Sequence, residues 1–387
     1  MTACLVMLMV ALAAPADWAE KKISGEKILD SVTALCDRSL KGRMALNEGA
    51  HRAAALIAGS FEEAGLLTVG DEGFLHPLTI ILDVLEKDIN PEGDDLVYEM
   101  NPAGLTERRC PAVMARIKGR KADVADEVVL VIARYDGQGR DGKKVVYAGA
   151  DRNASGVGVM LELARVLAGS RGGVYRTVVF VALPAGEEGI YMRPAVDGAI
   201  YERIDNWVLK YLVTEGEWDL FLESDLLRLP GLAGADAWIA DSPFPLKRIH
   251  AVVDLNMVGR KLSIGNDDGG GTDEEPDSAD LAVVGAETGE GLSKTVEKAC
   301  RGGTVDVTLL SFDSLEEEGI KRATESFSFV RKRIPSLWIT SGPCDDHGTE
   351  KDSVERLDGE QLEKAARLAY RLVKALANEK GRHAFAR

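Results

Sequence analysis

Three acidic side chains follow two apolar segments of the chain. Asp151 lies in YAGADRNASGVG (147–158), and the adjacent pair Glu187 and Glu188 lies in GEEG (186–189). Neighbouring carboxylates directly after a buried strand are unfavourable unless a cation or a proton compensates their charge. A metal ion together with a proton-transfer role would account for these groups. The pattern therefore predicts a metal site with a carboxylate that transfers protons.

Apolar runs rich in β-branched residues alternate with amphipathic segments along most of the chain, which predicts strands alternating with helices. Strands are predicted in 112–117, 127–134, 177–183, 249–259, 281–285, 305–310 and 336–340. Helices are predicted between Ile23 and Leu67, with a stop at Gly65, and over 154–169 and 359–379, whereas 68–110 is mixed with turn signals. This order indicates one α/β domain over 23–380, with a mixed, largely parallel central sheet and helices on both faces.

Candidate site residues cluster at one edge of this predicted sheet. Asp136, Asp151, Glu187, Glu188 and Asn256 all lie at or just after the carboxyl end of a predicted strand. Ligands of open α/β sheets bind at that edge. We therefore expect these side chains to share one site.

The charge and the N-terminus limit the partners. The net charge of −16 argues against nucleic acid or an anionic membrane, since both attract clustered lysine and arginine. The apolar run Thr2 to Ala14 is shorter than the roughly 20 residues that span a bilayer. It predicts a cleaved signal peptide over 1–16 and a secreted or periplasmic protein, with no membrane span.

Two segments are predicted to be insertions into the domain. Residues 190–232 predict a lid, and the acidic, glycine-rich stretch 266–280 predicts a solvated loop.

Beyond the predicted signal, four cysteines allow up to two disulfides or serve as small buried apolar residues: Cys36, Cys110, Cys300 and Cys344. Four histidines lie on no motif and are read as structural: His51, His76, His250 and His383.

Several motifs together resemble metallopeptidase family 28, the two-zinc aminopeptidases that also include glutaminyl cyclases. The shared segments agree in order and spacing: 40–66, EVVLVIARYDGQG (127–139), GADRNASG (149–156), VVFVALPAGEEG (178–189), VVDLNMVGR (252–260) and 334–370. The resemblance implies the zinc aminopeptidase/phosphorylase-like architecture. It also implies two close zinc ions, bridged by an aspartate and a water.

The resemblance assigns roles to five residues. Asp151 falls on the bridging aspartate, Glu187 on the general base, and Glu188 on a ligand of the second zinc. His347 falls on that zinc's histidine, and Asp136 on the aspartate that orients the first zinc's histidine.

Three positions depart from the family pattern. The first zinc's histidine is Arg134 here, its aspartate is Asn256, and the acidic residue that follows the bridging one is Arg152. A guanidinium stays protonated and has no lone pair for a metal. We expect the first metal position to be empty, with Arg134 near Asp151 and Asp136. Asp254 is a remote candidate for a shifted ligand.

The second zinc position keeps its ligands. Asp151, Glu188 and His347 plus water form a three-ligand site with an open position, as in single-zinc hydrolases. The expected function is a single-zinc aminopeptidase-type hydrolase of peptide N-termini that acts on a peptide or small-molecule substrate. The alternatives are an inactive family member that binds a peptide or another ligand and, less favoured, glutaminyl-cyclase-like acyl transfer. The oligomeric state stays open.

Overall fold

The computed structural model describes most of the chain. The described residues are 18–45, 47–69, 73–88, 97–141, 145–170, 172–186, 192–194, 233–262, 279–301, 305–312 and 324–386. Four predicted features lie wholly or mostly outside them: the signal peptide 1–16, the pair Glu187 and Glu188, the lid 190–232 and the acidic loop 266–280.

Nine strands form one mixed sheet in the order β10-β9-β11-β8-β3-β6-β2-β1-β7, and β4 and β5 form a separate pair. The strands are β1 (Leu75–Asp88), β2 (Val97–Ile117), β3 (Val128–Arg134), β4 (Gly139–Asp141), β5 (Val145–Tyr147), β6 (Thr177–Leu183), β7 (Met192–Pro194), β8 (Ile249–Leu255), β9 (Leu281–Val284), β10 (Val307–Leu310) and β11 (Ser336–Thr340). The central strands β11, β8, β3 and β6 are mutually parallel, so their carboxyl ends meet at one edge.

Helices cover both faces of the sheet. They are α1 (Gly25–Leu35), α2 (Glu48–Glu63), α3 (Ser155–Ala168), α4 (Ala233–Ala240), α5 (Leu292–Cys300), α6 (Ser326–Arg331) and α7 (Gly359–Asn378). The predicted mixed sheet with helices on both faces is confirmed.

The buried side chains of the strands alternate between two apolar layers. Along β3, Val129 and Val131 pack in the layer with α1, α2, α3 and α7, whereas Leu130 and Ile132 pack in the layer with α4. A strand buried on both faces must be apolar at every position, which is why β3 reads as an unbroken apolar run.

The mixed segment 68–110 forms regular structure that the sequence pattern did not predict. Most of it belongs to β1 and β2, which pair antiparallel with a register shift between Asp83 and Leu85. Glycines and prolines interrupt this stretch, and they weaken the alternating pattern by which a strand is recognised.

Two further sequence questions are answered by the described residues. Within the described ranges Cys36, Cys110, Cys300 and Cys344 form no disulfide with one another, so the disulfide alternative is not supported for them. Among the helices of the described ranges, none is long and apolar enough to cross a membrane.

Candidate active site

The carboxyl ends of β6, β3 and β8 hold three candidate positions side by side. Arg134 is the last residue of β3 and pairs in register with Leu183 of β6. On the other side Ala133 pairs with Leu255 of β8, so Arg134 and Asn256 are next to each other at this edge. We call Arg134, Asp136, Asp151, Asn256 and His347 the carboxyl-end site.

A tight helical turn before α3 positions Asp151. The π-helical turn spans Ala150–Ala154 and begins after Gly149, whose φ of 56° lies in the left-handed region that favours glycine. The Asp352 carboxylate accepts hydrogen bonds from the backbone N–H groups of Asp151, at 2.8 Å, and Arg152, at 3.1 Å. Asp352 thus satisfies backbone donors that the start of a helix leaves without partners.

The Asp151 side chain is buried, and only one of its two carboxylate oxygens accepts a hydrogen bond from the described residues. Its Oδ1 accepts from the backbone N–H of Gly259 at 2.7 Å, and its Oδ2 has no hydrogen-bond partner among the described residues. Burial, and then the negative charge of Asp352, raise the pKa of Asp151 to about 7. The free oxygen needs a donor or a cation that a ligand could supply.

Arg134 is buried and held by several groups. Its guanidinium forms an ion pair with Glu325 at 3.4 Å, and both side chains are less than 10% exposed. Its Nε donates to Asn153 Oδ1 at 3.0 Å, and its Nη1 donates to the carbonyl oxygen of Gly186. The sequence analysis expected Arg134 beside Asp136 and Asp151, and did not single out Glu325.

Asp136 is fully buried and binds backbone rather than solvent. Both carboxylate oxygens accept from the backbone N–H of Gly186 at 3.2 Å, and its own carbonyl accepts from Asn153 Nδ2 at 2.6 Å. Gly186 therefore contacts both Asp136 and Arg134. A Cβ at Gly186 would lie 2.1 Å from Arg134 Cδ, so a side chain here would displace the arginine.

The two polar residues near the end of β8 differ in their partners. Asn256 is 2% exposed, and its Oδ1 has no hydrogen-bond partner within the described ranges. Asp254 Oδ2 accepts hydrogen bonds from the backbone N–H of Ser326 at 3.1 Å and from the Ser326 hydroxyl at 2.8 Å. It also accepts one from the Thr324 hydroxyl. Burial, and then Glu325, raise the pKa of Asp254 to about 7.

Arg152 contacts the histidine that the resemblance assigns to zinc. Its Nη1 lies 2.7 Å from His347 Nε2, and Arg152 is only 3% exposed. Because a guanidinium only donates hydrogen bonds, His347 Nε2 must accept here. The lone pair of His347 Nε2 is therefore engaged by Arg152.

The described residues do not fit a two-zinc centre. Arg134 and Asn256 stand where the family resemblance predicts two ligands of the first ion, and Arg152 engages Nε2 of His347, a predicted ligand of the second. Asp151 is the one unaltered ligand position in the described residues that has a buried oxygen without a partner. Glu188, the remaining ligand candidate, lies outside the described ranges.

Glu325 and Asp352 were missed from the sequence, because no local pattern identifies either residue. A buried arginine at the end of a strand needs a carboxylate partner, but neither spacing nor pattern identifies which of 63 acidic residues supplies it. Asp352 is 201 residues from Asp151, so only the fold brings it to the turn.

Comparisons with known proteins agree with this architecture. The model of peptidase family M28 matches residues 112–373. A sequence search of curated proteins finds no match.

Solved structures match over most of this chain. A glutaminyl cyclase from an Acidobacteriales bacterium is 17% identical with a TM-score of 0.56, covering 95% of this chain and 97% of that one. A Zn-dependent exopeptidase from Parabacteroides distasonis is 15% identical with a TM-score of 0.56, and the match covers 91% of this chain and 98% of that one. LapB from Legionella pneumophila is 15% identical with a TM-score of 0.54, and the match covers 93% of this chain and 74% of that one.

At these identities the structural matches show the fold, whereas the family model matches well over half of the chain. The family and its neighbours suggest zinc as the metal that this architecture holds, and a peptide as its substrate. They do not fix the number of ions. The predicted resemblance is confirmed, and the chain belongs to peptidase family M28.

Proposed function

We propose that this chain is a non-hydrolytic member of its family that binds the free amino terminus of a peptide. The observation that carries the proposal is the placement of two arginines. Arg134 stands where the resemblance predicts a ligand of the first metal, and Arg152 donates to Nε2 of His347, the predicted histidine ligand of the second. Both metal positions are thereby altered within the described site.

Electrostatics supports the loss of the first metal. Two unit charges about 4 Å apart at an effective dielectric near 20 repel by about 4 kcal/mol, and a dication would be repelled by about twice as much. Arg134 cannot withdraw easily, because its guanidinium is bound to Glu325, Asn153 and Gly186.

Two unpartnered acceptors support the choice of ligand. Asp151 Oδ2 and Asn256 Oδ1 are buried and accept no hydrogen bond from the described residues. Gly259, three residues after Asn256, donates to Asp151, so the two segments are in contact. An ammonium group offers three N–H donors and a positive charge, which suits a carboxylate and an amide oxygen. Peptides with a free amino terminus provide that group.

A binding experiment tests this proposal. The affinity of fluorescently labelled peptides would be measured by anisotropy, with each peptide compared in its free and N-acetylated forms. We expect the free form to bind at least about tenfold more tightly, because a charged hydrogen bond contributes about 1.5–3 kcal/mol. The Asp151→Asn variant should lose this preference. Equal binding of both forms would contradict the proposal.

The second candidate is the single-zinc aminopeptidase-type hydrolase. The unpartnered Asp151 Oδ2 also suits a metal, and the general-base and ligand positions are still Glu187 and Glu188 in the sequence. If this candidate is right, zinc-loaded protein releases amino acids from peptides, and Glu187→Gln lowers the rate by orders of magnitude while the metal stays. Glutaminyl-cyclase-like acyl transfer would instead convert the substrate without releasing an amino acid.

A further inference from the structure

Two histidines and a glutamate meet at the opposite edge of the sheet from the carboxyl-end site. His250 is the second residue of β8, Glu379 directly follows α7, and His383 lies in the C-terminal segment. Both histidine Nε2 atoms lie 2.8 Å from Glu379 Oε1, and the three potential ligand atoms lie within 4.8 Å of one another. We call these residues the amino-end cluster. The sequence analysis read both histidines as unrelated structural residues.

Outer partners orient two of these side chains. His383 Nδ1 lies 2.8 Å from the carbonyl oxygen of Glu290, so Nδ1 carries a proton and, in the neutral ring, Nε2 keeps its lone pair. Thr295 Oγ1 donates to Glu379 Oε2 at 2.9 Å, which leaves Oε1 directed at the histidines. Metal-binding histidines and carboxylates are commonly fixed by such partners.

The burial of the cluster also suits a bound ion. The His250 side chain is fully buried, and the side chains of His383 and Glu379 are 10% and 20% exposed. His383 also lines a cavity of about 440 Å³ that exposed residues border, so this histidine faces a space next to solvent.

The nearest buried cation is already compensated. Arg176 donates to the backbone oxygen of Glu379 at 2.9 Å, and Glu127 binds its Nε at 2.7 Å. The Glu379 carboxylate thus keeps its charge for the two imidazoles. Burial lowers the pKa of His250 and would by itself lower that of His383, but hydrogen bonds with Glu379 and Glu290 raise the pKa of His383. A proton therefore competes with a metal ion for the nitrogen of His383.

We propose that the amino-end cluster is a binding site for zinc, independent of the family's metal positions. His250 Nε2, His383 Nε2 and one Glu379 oxygen supply three ligands, and water completes a tetrahedron. Bonds of about 2.0–2.1 Å place tetrahedral ligands about 3.3 Å apart, so the 2.8 Å contacts must widen by about half an ångström. The ion joins the C-terminal segment to β8.

Calorimetric titration of tag-free, chelator-treated protein with zinc at mildly alkaline pH tests this site. Wild type should bind one zinc, and His383→Ala and Glu379→Gln should each weaken that binding by at least about 100-fold, since even outer-partner changes cost 10–100-fold. His51→Ala, at an exposed position of α2, is the matched control and should bind zinc as wild type does, whereas His347→Ala reports separately on the carboxyl-end site. Zinc should raise the melting temperature of wild type but not of Glu379→Gln.

Each other outcome overturns the inference. If wild type binds no zinc, or if both cluster variants and His347→Ala bind it unchanged, the amino-end cluster is not a metal site, while the proposed function stands. If zinc is lost in His347→Ala alone, both the cluster site and the metal-free carboxyl-end site are wrong. Circular dichroism checks that the variants fold, and Glu379→Gln preserves the size of the side chain it replaces.

Discussion

Replacing Arg134 by methionine should destabilise the fold, because it breaks a buried ion pair in the carboxyl-end site. The change keeps most of the apolar stem and removes the guanidinium that faces Glu325 at 3.4 Å, where both groups are less than 10% exposed. Removing one partner of a buried ion pair typically costs 3–5 kcal/mol, because the other charge stays buried alone. Glu325 already raises the pKa of Asp254, so these buried acids depend on Arg134 for a countercharge.

The assay is urea unfolding, followed by the fluorescence of the fully buried Trp238 and Trp338. We expect Arg134→Met to lower the free energy of unfolding by about 3–5 kcal/mol. The double variant Arg134→Met with Glu325→Gln should recover at least about 1 kcal/mol of that loss, because no lone charge is left.

The matched control is Arg301→Met, which breaks an ion pair that is 78% and 50% exposed. That pair should contribute less than about 1 kcal/mol. If Arg134→Met costs no more than Arg301→Met, or if the double variant loses the sum of its single losses, Arg134 is not held by Glu325 as argued.

Three further changes test neighbouring contacts. Gly186→Ala puts a Cβ 2.1 Å from a buried arginine carbon and should lower the free energy of unfolding in urea by about 1–3 kcal/mol. The control Gly59→Ala in α2 meets nothing within 4 Å and should raise that free energy by about 0.5–1 kcal/mol. Equal effects of the two changes would contradict the packing around Gly186. Asp352→Asn keeps one acceptor for two N–H groups and should cost about 1–3 kcal/mol, and a change below about 0.5 kcal/mol would contradict its capping role. In the His383→Ala background, Arg152→Ala frees His347 Nε2 and should create zinc binding that calorimetric titration detects, whereas no binding would show that Arg152 is not what blocks the metal.

The fold could be predicted where one local signal dominates. Strand β6 spans Thr177–Leu183 as predicted, because a strand buried on both faces must be continuously apolar. Helix α2 stops near Gly65, whose φ of 73° ends a helix. The β1–β2 pair was missed, because its pattern is broken by turn-forming residues and its pairing depends on the rest of the sheet.

The candidate site could be predicted only in part. Motif spacing placed Arg134, Asp151 and Asn256 at one edge, and the structure brings Arg134 and Asn256 together on neighbouring strands. The contact of Arg152 with His347 joins residues 195 positions apart, and no periodic pattern encodes it. The same holds for His250 and His383, which lay on no motif and meet only because α7 returns the chain to the start of β8.

The most direct test of the central claim is the zinc content of the His383→Ala variant. This variant lacks a ligand of the amino-end cluster, so any remaining zinc reports on the carboxyl-end site. If Arg134 and Arg152 take the places of the metals, elemental analysis after incubation with zinc should find none. One zinc per chain that disappears on adding His347→Ala would contradict the account and restore the single-zinc hydrolase.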